Sequence, residues 1–133
     1  DPRNVVDAQF SAPYAAAVAL VRGRAGLAEF GDDALRDPKV RMLLARTECV
    51  RDASLDAEYP KRWPAAVEIR LADGRVLRRR VEHALGEPEN PVPRDALVAR
   101  FVEMVARPNA RQIAGRILAL AAEPDLRVLD ELA

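Results

Sequence analysis

Three polar side chains, Gln9, Ser11 and Tyr14, open the most apolar stretch of this chain, Tyr14 to Val21, which carries no charge. Ser11 suits a helix N-cap, and Pro13 in the first turn gives up only an N–H that has no partner there. The alanines that follow favour helix and let neighbouring backbones approach, and Arg22-Gly23 supplies a cationic last turn and a glycine stop. A helix that is apolar all round must be buried on several sides. Its polar first turn then needs partners, so Ser11 and Tyr14 are the candidate substrate-pocket residues. The plainer alternative, Ser11 only a cap and Tyr14 only core, stays open on spacing alone.

Other chemistry-bearing residues are less well arranged. Cys49 and His83 form a nucleophile pair only formally, a buried strand cysteine and a solvated histidine being the simpler reading. One cysteine and one histidine give no disulfide framework and no metal-ligand spacing, so no metal site is expected. Arg78-Arg79-Arg80 suits an anionic ligand, or equally a solvated or edge-protecting strand face. Asp32-Asp33 reads as capping rather than acid–base pairing. Gly23-Arg24-Ala25-Gly26 follows a helix, the wrong context for a phosphate loop. Read in isolation, these residues contain no complete catalytic set.

The elements that position them follow from pattern. Asp37-Pro38 starts a helix with Val40, Leu43 and Leu44 on its apolar face. Arg46 to Asp52 loses that period and reads as a strand, and Ser54 to Pro64 as a loop. Ala65 to Leu71 alternates, with Ala65, Val67, Ile69 and Leu71 on one side. The chain turns at Ala72-Asp73-Gly74 and returns over Arg75 to Glu82. A three-residue loop with Gly74 left-handed keeps Leu77 and Val81 on the Val67–Ile69 face, at the price of placing Arg79 there too. Arg94 to Ala106 reads as a helix. A second begins at Asn109, with Gln112 completing a capping box and Ile113, Ile117, Leu118 and Ala121 inward, and a short last helix begins at Pro124. The expected fold is α+β: two layers, a small antiparallel β-sheet of three strands packed against helices.

At 133 residues and 50% hydrophobic, the chain is one domain with enough apolar side chains for a core. Twenty-one basic and twenty-one acidic residues cancel and intermix, which argues against nucleic-acid and membrane-surface binding. No run approaches the roughly 18 apolar residues of a membrane span, and no signal-peptide pattern is legible, so a cytoplasmic protein is expected. The chain opens directly on Asp1-Pro2-Arg3-Asn4 and reads as a piece of something longer.

Three stretches in series carry a resemblance. Phe10-Ser11-Ala12-Pro13-Tyr14-Ala15 opens the alanine-rich helix. Gly26-Leu27-Ala28-Glu29-Phe30 leads to Asp37-Pro38-Lys39-Val40. Asp73-Gly74-Arg75 is followed by Gly86-Glu87-Pro88-Glu89-Asn90-Pro91. Their order and spacing, over nearly the whole chain, resembles the C-terminal domain of the MmgE/PrpD family of 2-methylcitrate dehydratases, cis-aconitate decarboxylases and iminodisuccinate epimerases. The resemblance implies a cytoplasmic two-domain enzyme with no cofactor. Its partner would be an N-terminal helical domain of the same chain, carrying most acid–base residues, in a full-length homodimer acting on a small di- or tricarboxylate. Residues 1–133 would be the α+β lid over the interdomain site, lacking its first strand, and inactive by itself. Ser11 and Tyr14 match the family's pocket-facing lid residues. His83-Ala84-Leu85 departs from the family at a place where a proline–lysine pair is common.

Overall fold

The computed structural model describes residues 2–122, 125–127 and 130, and divides into two compact units, 1–53 and 54–133. It is an α+β chain of short helices and one antiparallel two-stranded sheet.

The first unit is helical. Helix α1 (Val5–Gln9) is capped by Asn4, whose side chain accepts from the Asp7 N–H at 2.9 Å. Helix α2 (Ala12–Arg22) starts at Ser11, which accepts from the Tyr14 N–H at 3.2 Å. It stops at Gly23, whose φ of 74° a side chain would strain. A 3₁₀ turn (Leu27–Phe30) and helix α3 (Asp32–Arg36) lead to α4 (Pro38–Leu44). Asp37 caps α4 by accepting from the Lys39 N–H at 2.9 Å, as its place before a proline requires. Asp32 and Asp33 make no such cap; they lie inside the first turn of α3, where a carboxylate favours the positive helix end. The core comprises Ala8, Tyr14, Ala17, Val18, Ala34, Leu35 and Val40, with Phe30, Leu43 and Leu44 packed against it. Only one side of α2 is buried. Leu20 is 51% exposed, which corrects the expectation of burial all round.

Residues 46–52 form no strand. Helix α4 closes instead through the Thr47 N–H, which donates to the Leu44 carbonyl at 3.0 Å, and the Thr47 hydroxyl, which donates to the Leu43 carbonyl at 2.8 Å. A β-branched segment makes a strand only beside a ladder partner, and among the described residues this one has none.

In the second unit, a four-residue helix α5 (Ala53–Asp56) precedes the hairpin, inside a stretch whose turn formers read as loop. Strands β1 (Ala65–Arg70) and β2 (Val76–Val81) pair with Ile69 opposite Leu77 and Val67 opposite Arg79. Leu71 pairs with Arg75 across a three-residue loop in which Gly74 has a φ of 86°. That is the register expected from keeping Leu77 and Val81 beside Val67 and Ile69. Their shared face is largely exposed, so Arg79 stands among those apolar residues in solvent and buries no charge. Helices α6 (Arg94–Val105) and α7 (Ala110–Leu118) pack together, with Ala110, Ile113 and Ala114 buried. Asn109 precedes α7 but forms no side-chain cap bond, and Leu118 and Ala121 are exposed rather than inward. The helix expected from Pro124 lies outside the described residues.

Candidate functional site

The entry to α2 brings the two predicted residues to different places. Tyr14 is fully buried, and its hydroxyl donates to the Glu29 carbonyl oxygen at 2.7 Å. Its ring meets Phe30 at 5.6 Å in a tilted pair. Burial pushes the phenol above its ordinary value, so it stays protonated and remains a donor. The phenol therefore ties α2 to the 3₁₀ turn fifteen residues later.

Ser11 is half-buried at the surface. Its Oγ accepts from the Tyr14 N–H, which leaves the hydroxyl proton as a donor. It lines a depression of roughly 400 Å³ with Pro13, Arg41, Leu44, Ala45 and Thr47. Pro13, Leu44 and Ala45 make one wall apolar, while Ser11, Arg41 and Thr47 contribute the polar groups. Arg41 is held in place by its Nη1, which donates to the Pro2 carbonyl at 3.0 Å. A hydroxyl donor and a guanidinium together suit a carboxylate.

Arg41, Thr47 and Glu29 were not singled out from the sequence. Glu29 is 5% exposed. Its Oε1 accepts from Arg24 Nε at 3.0 Å and its Oε2 from the Gly26 N–H at 2.9 Å. The hydrogen bond from Arg24, with help from Gly26, holds its carboxyl below the ordinary range despite the burial. The spacing Gly26-x-x-Glu29 is the half of a capping box that could have pointed to it. Arg41, four residues after the cap Asp37, has no comparable sequence signal.

The remaining candidates are accounted for locally. Cys49 is exposed. His83 Nδ1 lies 3.1 Å from Glu87 Oε2 and 3.8 Å from Glu89 Oε2, and among the described residues this is the group whose donor atoms come close enough to share a metal ion. A histidine–glutamate hydrogen bond explains it without one. Arg78 pairs with Glu68 at 2.7 Å across the hairpin, and Arg80 pairs with Glu82 and Glu58, so both are neutralised within the hairpin's surroundings. No described helix is long and apolar enough to cross a membrane.

Comparison with known proteins agrees with these features. The profile of the MmgE/PrpD C-terminal domain matches residues 1–123. A mitochondrial 2-methylcitrate dehydratase of Yarrowia lipolytica (strain CLIB 122 / E 150) is 35% identical over 78 residues, covering 56% of this chain and 15% of the relative. A 2-methylcitrate dehydratase of Cupriavidus necator is 38% identical over 88 residues, covering 62% of this chain and 18% of the relative. The chain thus spans less than a fifth of the length of these curated relatives. No solved structure matches it. With nearly its whole length matched, the chain belongs to the MmgE/PrpD family, as a C-terminal domain related to those of the 2-methylcitrate dehydratases.

Proposed function

We propose that this chain is the C-terminal part of a lyase that dehydrates small di- or tricarboxylates of the 2-methylcitrate type, closing over a site whose acid–base residues lie in an N-terminal helical domain. The observation that carries the reading is the depression at the start of α2, where Ser11, Arg41 and Thr47 meet on an otherwise apolar wall. Dehydration beside a carboxylate removes a proton and expels a hydroxyl group, so negative charge builds up next to an existing carboxylate. A fixed guanidinium and a hydroxyl donor at a helix start stabilise that charge without themselves exchanging protons. In this reading Ser11 contacts substrate. Tyr14 is a positioning residue: its N–H orients the Ser11 oxygen, and its phenol locks the helix that carries it. No cofactor enters the proposed reaction.

A second reading is a non-catalytic interaction domain. It is favoured by Phe10, beside Ser11 and 87% exposed, which suits a covered surface. The two separate on Ser11→Gly in the full-length protein, assayed with 2-methylcitrate. Glycine is nearly as good a cap as serine, so the fold loses only a few tenths of a kcal/mol. A lid contact to the reacting substrate predicts a fall in kcat/KM of about 10²-fold. Unchanged kcat/KM in a folded variant would leave the interaction reading. Wild-type protein that decarboxylates or epimerises its acid instead would move the reaction within the family.

A further inference from the structure

His83, the one histidine of the chain, lies in segment 82–93, which joins β2 to α6. That segment is held by its own backbone. The Gly86 N–H donates to the Asn90 carbonyl at 2.8 Å, the Asn90 N–H to the Glu87 carbonyl at 2.9 Å, and the Glu87 N–H to the Ala84 carbonyl at 3.1 Å. The Asn90 side chain closes the loop by donating to the His83 carbonyl at 2.9 Å. His83, Glu87 and Glu89 then bring a ligand atom each to one place, all within 4.8 Å of one another. The His83–Glu87 hydrogen bond explains that pair without an ion. It does not explain Glu89, whose Oε2 comes within 3.8 Å of the same Nδ1. Two carboxylates this close repel each other, and one imidazole supplies at most one positive charge. The cluster is therefore negative whichever form the histidine takes. Among the described residues, both carboxylates have His83 as their ion-pair partner, while the nearby Arg80 and Arg62 are engaged with Glu82 and Glu58. Ligands bound at about 2.0–2.1 Å around a tetrahedral zinc ion lie about 3.4 Å apart. The separations from His83 Nδ1, 3.1 Å and 3.8 Å, bracket that value.

We propose that His83, Glu87 and Glu89 form a site for a divalent transition-metal ion of the zinc type, which clasps the segment between β2 and α6. The ligands are His83 Nδ1 and one oxygen of each glutamate. Solvent supplies the fourth position, since Glu89 is 59% exposed. An imidazole with two carboxylates suits zinc and its neighbours, whereas magnesium and calcium take oxygen ligands throughout. The ion enters no step of the dehydration. It neutralises the facing carboxylates and ties residue 83 to residues 87 and 89. The site belongs to the second unit and does not depend on the Ser11 reading.

The test is calorimetric titration of the full-length protein, stripped with a chelator, using zinc chloride, with magnesium chloride as the comparison. Cobalt chloride supplies a second readout, the visible absorption of cobalt in a nitrogen–oxygen site. His83→Ala removes the nitrogen ligand. Glu89→Gln keeps the size of an exposed side chain that contributes nothing to the core, so it reads the site even if His83→Ala fails to fold. Each should weaken zinc about tenfold or more and abolish the cobalt spectrum, because loss even of a group that only orients a ligand costs that much. Magnesium should bind at least about tenfold more weakly than zinc. Cys49→Ser should leave zinc binding unchanged, since Cys49 is no ligand in this arrangement. No zinc binding by the wild-type protein would overturn the site. So would zinc affinity within about twofold of wild type in Glu89→Gln, or zinc binding lost in Cys49→Ser. Magnesium binding as tight as zinc would overturn the assigned class of ion.

Discussion

Tyr14 and Glu29 show how a single contact can redirect a residue's role. The phenol of Tyr14 is consumed by the Glu29 carbonyl at 2.7 Å, in a fully buried setting. Tyr14→Phe keeps the ring against Phe30 but leaves that carbonyl without its donor, and should cost about 1–3 kcal/mol of stability. The denaturant midpoint of the variant measures it, and an unchanged midpoint would contradict the assigned bond. Glu29 carries a pH dependence. Its carboxyl is held below the ordinary value of 4.5 by Arg24, so the unfolded chain binds its proton first as the pH falls. The stability it contributes is complete above about pH 4.5 and is lost as the pH drops through the lower folded value. Glu29→Gln should therefore unfold more easily at pH 6 and show a flatter midpoint profile between pH 6 and pH 3. Parallel profiles for the two proteins would refute this.

At the scale of elements, helix ends and interiors obey opposite rules, and Gly115 and Ala106 each run against one of them. Gly115 lies inside α7 with nothing within 4 Å of the position a Cβ would take. Gly115→Ala should raise stability by about 0.5–1 kcal/mol, because alanine loses less backbone freedom on folding. Helix α6 ends at Ala106 with a φ of 51°, a left-handed cap that glycine adopts without penalty. Ala106→Gly should stabilise by up to about 1 kcal/mol, the cost of a left-handed L-residue offset by the greater freedom of glycine in the unfolded chain. Thermal midpoints of the two single variants and of the pair check both, and the effects should add, since one substitution acts at a cap and the other in a helix interior. A fall in midpoint for Gly115→Ala would mean that an uncounted neighbour fills its space.

For the whole molecule, the informative quantity is how little of a family enzyme this chain represents. Its curated relatives are more than five times as long as the segment they share with it. On the proposed function, the 133-residue chain by itself should give no turnover of 2-methylcitrate, and the full-length protein should. A continuous absorbance assay for the unsaturated product distinguishes them, and turnover by the isolated chain would place the proton-transfer groups inside these residues.

Much of this was legible in the sequence because its signals act over a few residues. Ser11 and Asp37 cap their helices where a small polar side chain precedes a proline-bearing first turn. Gly23 and Gly74 turn the chain where only a residue without Cβ is at ease. The hairpin register follows from alternation plus loop length, and the family from three short motifs in order. What those signals cannot carry is the identity of a partner on another element. Residues 46–52 have strand-like side chains but no described strand beside them, so the backbone there ends a helix instead. Tyr14 needed a partner, and only the packing of α2 against the turn at Leu27–Phe30 made the Glu29 backbone carbonyl that partner. The meeting of Ser11, Arg41 and Thr47 in one depression is likewise set by how α2 and α4 cross. Capping and turn preferences are local free energies, each decided within one or two turns of chain. A site is a coincidence of distant residues in space, and the burial of apolar side chains that brings them together is non-directional, so the final arrangement is settled only when the core closes.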